Sequence, residues 1–189
     1  MGVSDTPSGY YLTHTTWQLK YAFVAKGLGD TASPLPNPIG EDAQFISLAA
    51  FQLGVVSCTA ALDVASAFLV GLAGGDLTPP VPNLRSVAEG RKRIPTLPTD
   101  HATWVEETLE QSEGLFEVRN AMVHRHVPVG VTVGAAHAYE VKGLDTHASI
   151  DDFIAKVVDR VLRLFLLVRP SSDLMDPMRS LFRSLSRLP

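Results

Sequence analysis

Residues Phe45 to Leu72 read FISLAAFQLGVVSCTAALDVASAFLVGL. A run this long and this apolar has two physical homes, a bilayer or the centre of a helical protein. Gln52, Asp63 and the hydroxyls of Ser47, Ser57, Thr59 and Ser66 interrupt it. An ionised aspartate facing lipid is costly, whereas a core helix tolerates a few polar positions. The stretch is therefore expected to be a core helix. A small membrane-associated protein built around the same residues is the weaker alternative.

Composition agrees. The chain has 189 residues, 46% of them hydrophobic, enough to bury one sizeable core without disulfides or a structural metal. Its single cysteine, Cys58, sits among Val55, Val56, Ala60 and Ala61 and reads as packing. One cysteine also suits a reducing compartment. Met1 to Tyr10 shows no basic stretch followed by an apolar run, so neither a signal peptide nor membrane insertion is expected, and the expected location is cytoplasmic.

Working outward, prolines punctuate the chain at 34, 36 and 38 and five more times between Gly74 and Pro98. These stretches read as connections, the second holding one short helix from Leu84 to Arg91. Helices are expected over Leu12 to Lys26, Glu41 to Ala73, Asp100 to about His126 with Asp100 as N-cap, and Ser149 to Pro170. A fifth, amphipathic, is expected over 173–188, with Arg179, Arg183 and Arg187 as a basic stripe. Val129, Val131 and Val133, then Tyr139 and Val141, alternate about Gly134 and suggest a small hairpin. The expected fold is one all-α domain spanning 1–189: an up-and-down bundle of about five helices, its core near 41–169, with a β-hairpin insert around 128–142.

The third of these helices carries the chemistry. At about 100° per residue from Trp104, its apolar side takes Val105, Leu109, Ser112, Leu115, Phe116, Met122 and Val123. Glu106, Glu110, Glu113 and Glu117 fall opposite. Arg119 lands in the middle of the apolar stripe, where an unpaired guanidinium costs several kcal/mol. It must meet an anion, reach out to water or line a cleft. Asn120 and His124, four residues apart, are neighbours on one edge. An arginine, an amide and an imidazole can clamp an anion, orient a ring and carry a proton, the combination phosphate-ester chemistry uses. The alternative for Arg119 is a buried ion pair with Asp63, the one acid inside the core helix.

The run Val118-Arg119-Asn120-Ala121-Met122-Val123-His124-Arg125, late in a helix before a break, resembles the R-x4–6-H motif of the HEPN superfamily. In that family the residue after the arginine is usually polar, as Asn120 is here. Some antitoxin-paired members carry a tyrosine two residues after the histidine, where this chain has His126. The resemblance implies a short helical bundle and a homodimer in which two motifs face each other across one cleft. It implies metal-independent cleavage of RNA without a cofactor, in a toxin or antiviral defence effector that pairs with an antitoxin or another defence protein. Arg119, Asn120 and His124 would then be catalytic, with Arg125 and His126 helping to bind RNA. Other members are catalytically inactive dimerisation or adaptor modules, the second expectation for this chain. His124 and His126 form an H-x-H pair, a possible zinc arrangement, but His14, His101, His137 and His147 are scattered with no partner spacing, so a metal site is not expected.

Overall fold

The computed structural model describes residues 7–32, 40–91, 94–124, 129–133, 136–140, 147–168 and 183. Among them are six helices: α1 Pro7–Ala32, α2 Gly40–Leu72, α3 Leu84–Ala88, α4 Thr99–Gln111, α5 Glu113–His124 and α6 Ile150–Val168. The chain is mainly helical.

α2 is the element around which the others assemble, packing against α1, α3, α4, α5 and α6, most extensively against α1. Two small residues show how closely α1 and α2 approach. A methyl group added at Gly29 would touch Ala50, and one at Gly54 would lie 3.7 Å from Ala25 and only 2.4 Å from Ile150 of α6. Rising numbers on α1 thus meet falling numbers on α2, so the two are antiparallel, and the N-terminus of α6 seats over their contact. One cluster including Leu19, Phe51, Leu62, Phe68, Trp104, Val118, Val161 and Phe165 forms the core. The Phe45–Leu72 segment is long and apolar enough to cross a membrane, yet 72% of its most apolar window is buried against the other helices.

Local chemistry explains the ends. α2 stops where Gly74 adopts φ 76°, a left-handed conformation glycine enters without penalty. Gly75 N–H then bonds the Val70 carbonyl and Gly74 N–H that of Gly71, satisfying carbonyls the helix leaves open. Gly90 ends α3 in the same way. At its start Asn83 and Ser86 cap each other's backbone. Leu77, Ile94 and Leu97 tie the long connection between α2 and α4 onto the core.

Three expectations need correction. Asp100 does not cap α4: the helix begins at Thr99 after Pro98, and Asp100 lies in its first turn, where a carboxylate favours the helix dipole. The helix expected from Asp100 to His126 is two helices, because Ser112 leaves the helical region at φ −105°, ψ 8°. Its N–H still bonds the carbonyls of Thr108 and Leu109, and its own carbonyl accepts from Phe116, so the chain steps rather than breaks. The helix expected at Leu12 to Lys26 is longer, Pro7–Ala32.

The backbone of Val129–Val133 pairs antiparallel with Ala136–Glu140, which pairs in turn with the two-residue strand His147–Ala148. Residues 134 and 135, where the expected hairpin would turn, lie outside the described residues, as does the expected helix at 173–188 apart from Arg183, which is exposed.

Candidate active site

After the step at Ser112, Leu115, Phe116 and Val118 of α5 are buried and Met122 partly buried, while Val123 is 60% exposed. Arg119, expected in the middle of the apolar stripe, is half-buried, and Asn120 and His124 are exposed.

This placement settles how the guanidinium is held. Arg119 Nη1 donates to Asn120 Oδ1 at 3.4 Å, a long and exposed contact that an incoming acceptor can displace. Asp63 on α2 lies within electrostatic reach. Its Oδ1 accepts the backbone N–H of Leu84 at 3.0 Å, tethering the start of α3 to the core helix. Burial pushes the Asp63 carboxyl above the usual range, and the Leu84 N–H and the Arg119 charge pull it back down. Among the described residues the ion pairs within 4.0 Å do not include Arg119, so the alternative of an ion pair with Asp63 reduces to a through-space attraction.

Asn120 and His124 share the solvent face of the last turn and a half of α5, with the Arg119 guanidinium against Asn120. His124 is the last residue of the helix, where a cation would meet the negative end of its dipole. Arg125 and His126 lie outside the described residues. Geometrically this is an open surface: an anion clamp, an amide and an imidazole beside bare apolar Val123. A cleft of about 260 Å³ lies elsewhere, lined by Asp76, Pro80, Asn83 and Arg91 among others, and no motif residue borders it.

The arginine that is fully buried is a different one. Arg160 of α6 is 1% exposed. Its Nε donates to Thr108 Oγ1 at 2.9 Å, its Nη1 to Glu107 Oε2 at 3.1 Å and its Nη2 to the Trp104 carbonyl at 3.1 Å. Its guanidinium carbon also lies 5.8 Å from the centre of the Trp104 ring. The signal for it was in the sequence: Arg160 stands three residues after Val157 and four before Leu164, in the apolar stripe of α6. Arg119 drew attention by the same criterion, but the neighbours that satisfy Arg160 are more than fifty positions away.

Cys58 is buried and its thiol is pushed up to about 12 by burial, which keeps it protonated and inert. Among the described residues no group of three or more His, Cys, Asp or Glu side chains lies together. In comparisons with known proteins the chain matches no family, no curated sequence and no solved structure.

Proposed function

We propose that the chain is a metal-independent endoribonuclease of HEPN type that acts as a homodimer, a cytoplasmic toxin or antiviral defence effector. The observation that carries this reading is the Arg119-Asn120-x3-His124 pattern at the accessible end of a helix within a helical bundle. RNA supplies its own nucleophile, so the protein needs only to position a phosphate and move protons.

In the reaction the ribose 2′-oxygen attacks the adjacent phosphorus and the bond to the 5′-oxygen breaks, leaving a 2′,3′-cyclic phosphate and a 5′-hydroxyl. One proton leaves the 2′-OH and one reaches the departing oxygen. His124 handles one of these, and His124 of a second copy handles the other, which is the use of a dimer. Arg119 gives up its weak bond to Asn120 and donates to the phosphoryl oxygens as charge builds there. Asn120 then orients the imidazole or a phosphate oxygen. Partners are RNA and, in a toxin, an antitoxin or another defence protein.

Purified protein incubated with single-stranded RNA in EDTA tests this. Cleavage leaving 2′,3′-cyclic ends, absent in both Arg119→Ala and His124→Ala, is the expected outcome. A second reading is favoured by one specific observation: Arg119 is already attracted to Asp63 and bonded to Asn120, as in a silent dimerisation or adaptor module. An intact dimer that leaves every RNA uncut, as do its variants, selects that module.

A further inference from the structure

α1 has two apolar sides and the bundle uses one. Leu12, Leu19, Ala22 and Ala25 are buried in the core. On the other side Tyr10, Trp17, Tyr21, Val24 and Leu28 are each between 46% and 57% exposed. With the part-exposed His14 they occupy positions 10, 14, 17, 21, 24 and 28, which advance by alternating steps of four and three. A helix apolar on both sides is a helix with a packing partner on both sides.

The spacing describes the partner. Two positions in every seven keep a narrow stripe aligned with another helix that supercoils along it. A membrane surface selects instead a broad apolar arc with a strongly basic opposite face, and the opposite face of α1 is core.

Size points to a second copy of this chain. The bulk sits early in the stripe, in Tyr10, His14 and Trp17, and tapers through Tyr21 to Val24 and Leu28. Laid antiparallel about a two-fold axis level with Leu19, Tyr10 meets Leu28, His14 meets Val24 and Trp17 meets Tyr21. All three layers come into register together, each pairing a larger side chain with a smaller one, as interdigitated packing requires.

The rings are also set in advance. Tyr10 lies 4.2 Å from His14, and His14 6.3 Å from Trp17, centre to centre, so docking freezes little further motion. An aromatic side chain contributes roughly 150–250 Å² when buried, so the half-bare stripe offers on the order of 500 Å² per copy. Two copies together bury about 1,000 Å², the size at which a specific interface begins. Exposed Leu53 and Val56 on the neighbouring α2 stand ready to extend it.

We infer that the outer stripe of α1 is a self-association seam that pairs antiparallel with the same stripe of a second copy. It gives the homodimer of the proposed function a contact surface, on a different helix from Arg119 and His124, and the two fail separately: the response of the mass to substitutions in α1 reports on the seam, and the RNA ends report on the cleavage. The 189-residue chain is expected to elute with a light-scattering mass of twice 20.4 kDa at micromolar concentration. The double variant Trp17→Glu/Tyr21→Glu is expected to run as a monomer with unchanged far-ultraviolet dichroism, since both side chains face solvent within one copy. His14→Cys and Val24→Cys chains, mixed and oxidised, are expected to form a disulfide-linked dimer that neither forms alone. A monomeric wild type, a dimer indifferent to the double substitution, or cross-linking of His14→Cys to itself would each overturn the seam. So would a monomer that co-floats with phosphatidylglycerol vesicles, which would assign the stripe to lipid.

Discussion

The indole N–H of Trp104 donates to the main-chain carbonyl of Arg160 at 2.9 Å, and the Arg160 guanidinium returns a bond to the main-chain carbonyl of Trp104 at 3.1 Å. This reciprocal pair bolts α4 to α6. With Glu107 and Thr108 it satisfies a permanent charge at a place where water cannot.

Arg160→Ala is expected to cost about 3–5 kcal/mol, because it removes the bolt and opens a cavity in the core. Arg160→Met keeps most of the volume and is expected to lose less than half as much, since Glu107 is 49% exposed and regains water when its partner goes, and the Trp104 carbonyl keeps the Thr108 hydroxyl. Urea denaturation of the three proteins checks both. Equal losses in the two variants would show that hydrogen bonding, not volume, sets the stability here.

Glycines in α2 and α5 should respond oppositely to an added methyl. Nothing lies within 4 Å of where a Cβ on Gly114 would stand, and its φ is not left-handed, so Gly114→Ala is expected to stabilise by about 0.5–1 kcal/mol. Gly54→Ala drives a methyl into Ile150 and is expected to destabilise by roughly 1–3 kcal/mol. Thermal melts of the two single variants suffice.

Asp63 makes stability depend on pH with a definite sign. Its folded carboxyl is raised above the ordinary aspartate value, so the folded state holds the proton more tightly than the unfolded one. Its contribution is therefore most favourable below the unfolded value and declines as pH rises through the window between the two. Asp63→Asn can still accept the Leu84 N–H and is expected to be at least as stable as wild type at pH 7, an advantage that fades as the pH falls through that window. Asp63→Ala orphans that N–H and is expected to lose about 1 kcal/mol at neutral pH. Denaturation curves at acid and neutral pH separate the two.

If the chain cleaves RNA, Arg119→Lys keeps the charge but not the planar fork, and a loss of roughly 10²-fold in rate is expected with little change in melting temperature. His124→Ala is expected to lose about 10²–10⁴-fold while its stability stays within about 0.5 kcal/mol, because His124 is exposed. Single-turnover cleavage in EDTA, beside melting curves, checks both. Rates that fall only in step with unfolding would mean these residues hold the fold and do no chemistry.

The sequence alone determined what is written within a few residues: that Phe45 to Leu72 is a core helix, that this helix ends just before Gly74, and that Asp63 is the exceptional acid within that core. Apolar period and the freedom of glycine are local properties, legible without a fold. Three things needed the tertiary structure. Ser112 divides the expected long helix into α4 and α5, and Arg119 comes out half-buried while Val118 is enclosed. Arg160, not Arg119, is the buried charge, because Thr108, Glu107 and Trp104 come to it from 52 to 56 positions away. And α1, apolar on both sides, gives no local sign of which side the bundle takes; packing against α2 and α6 encloses Leu12, Leu19, Ala22 and Ala25 and leaves Tyr10 and Trp17 outward.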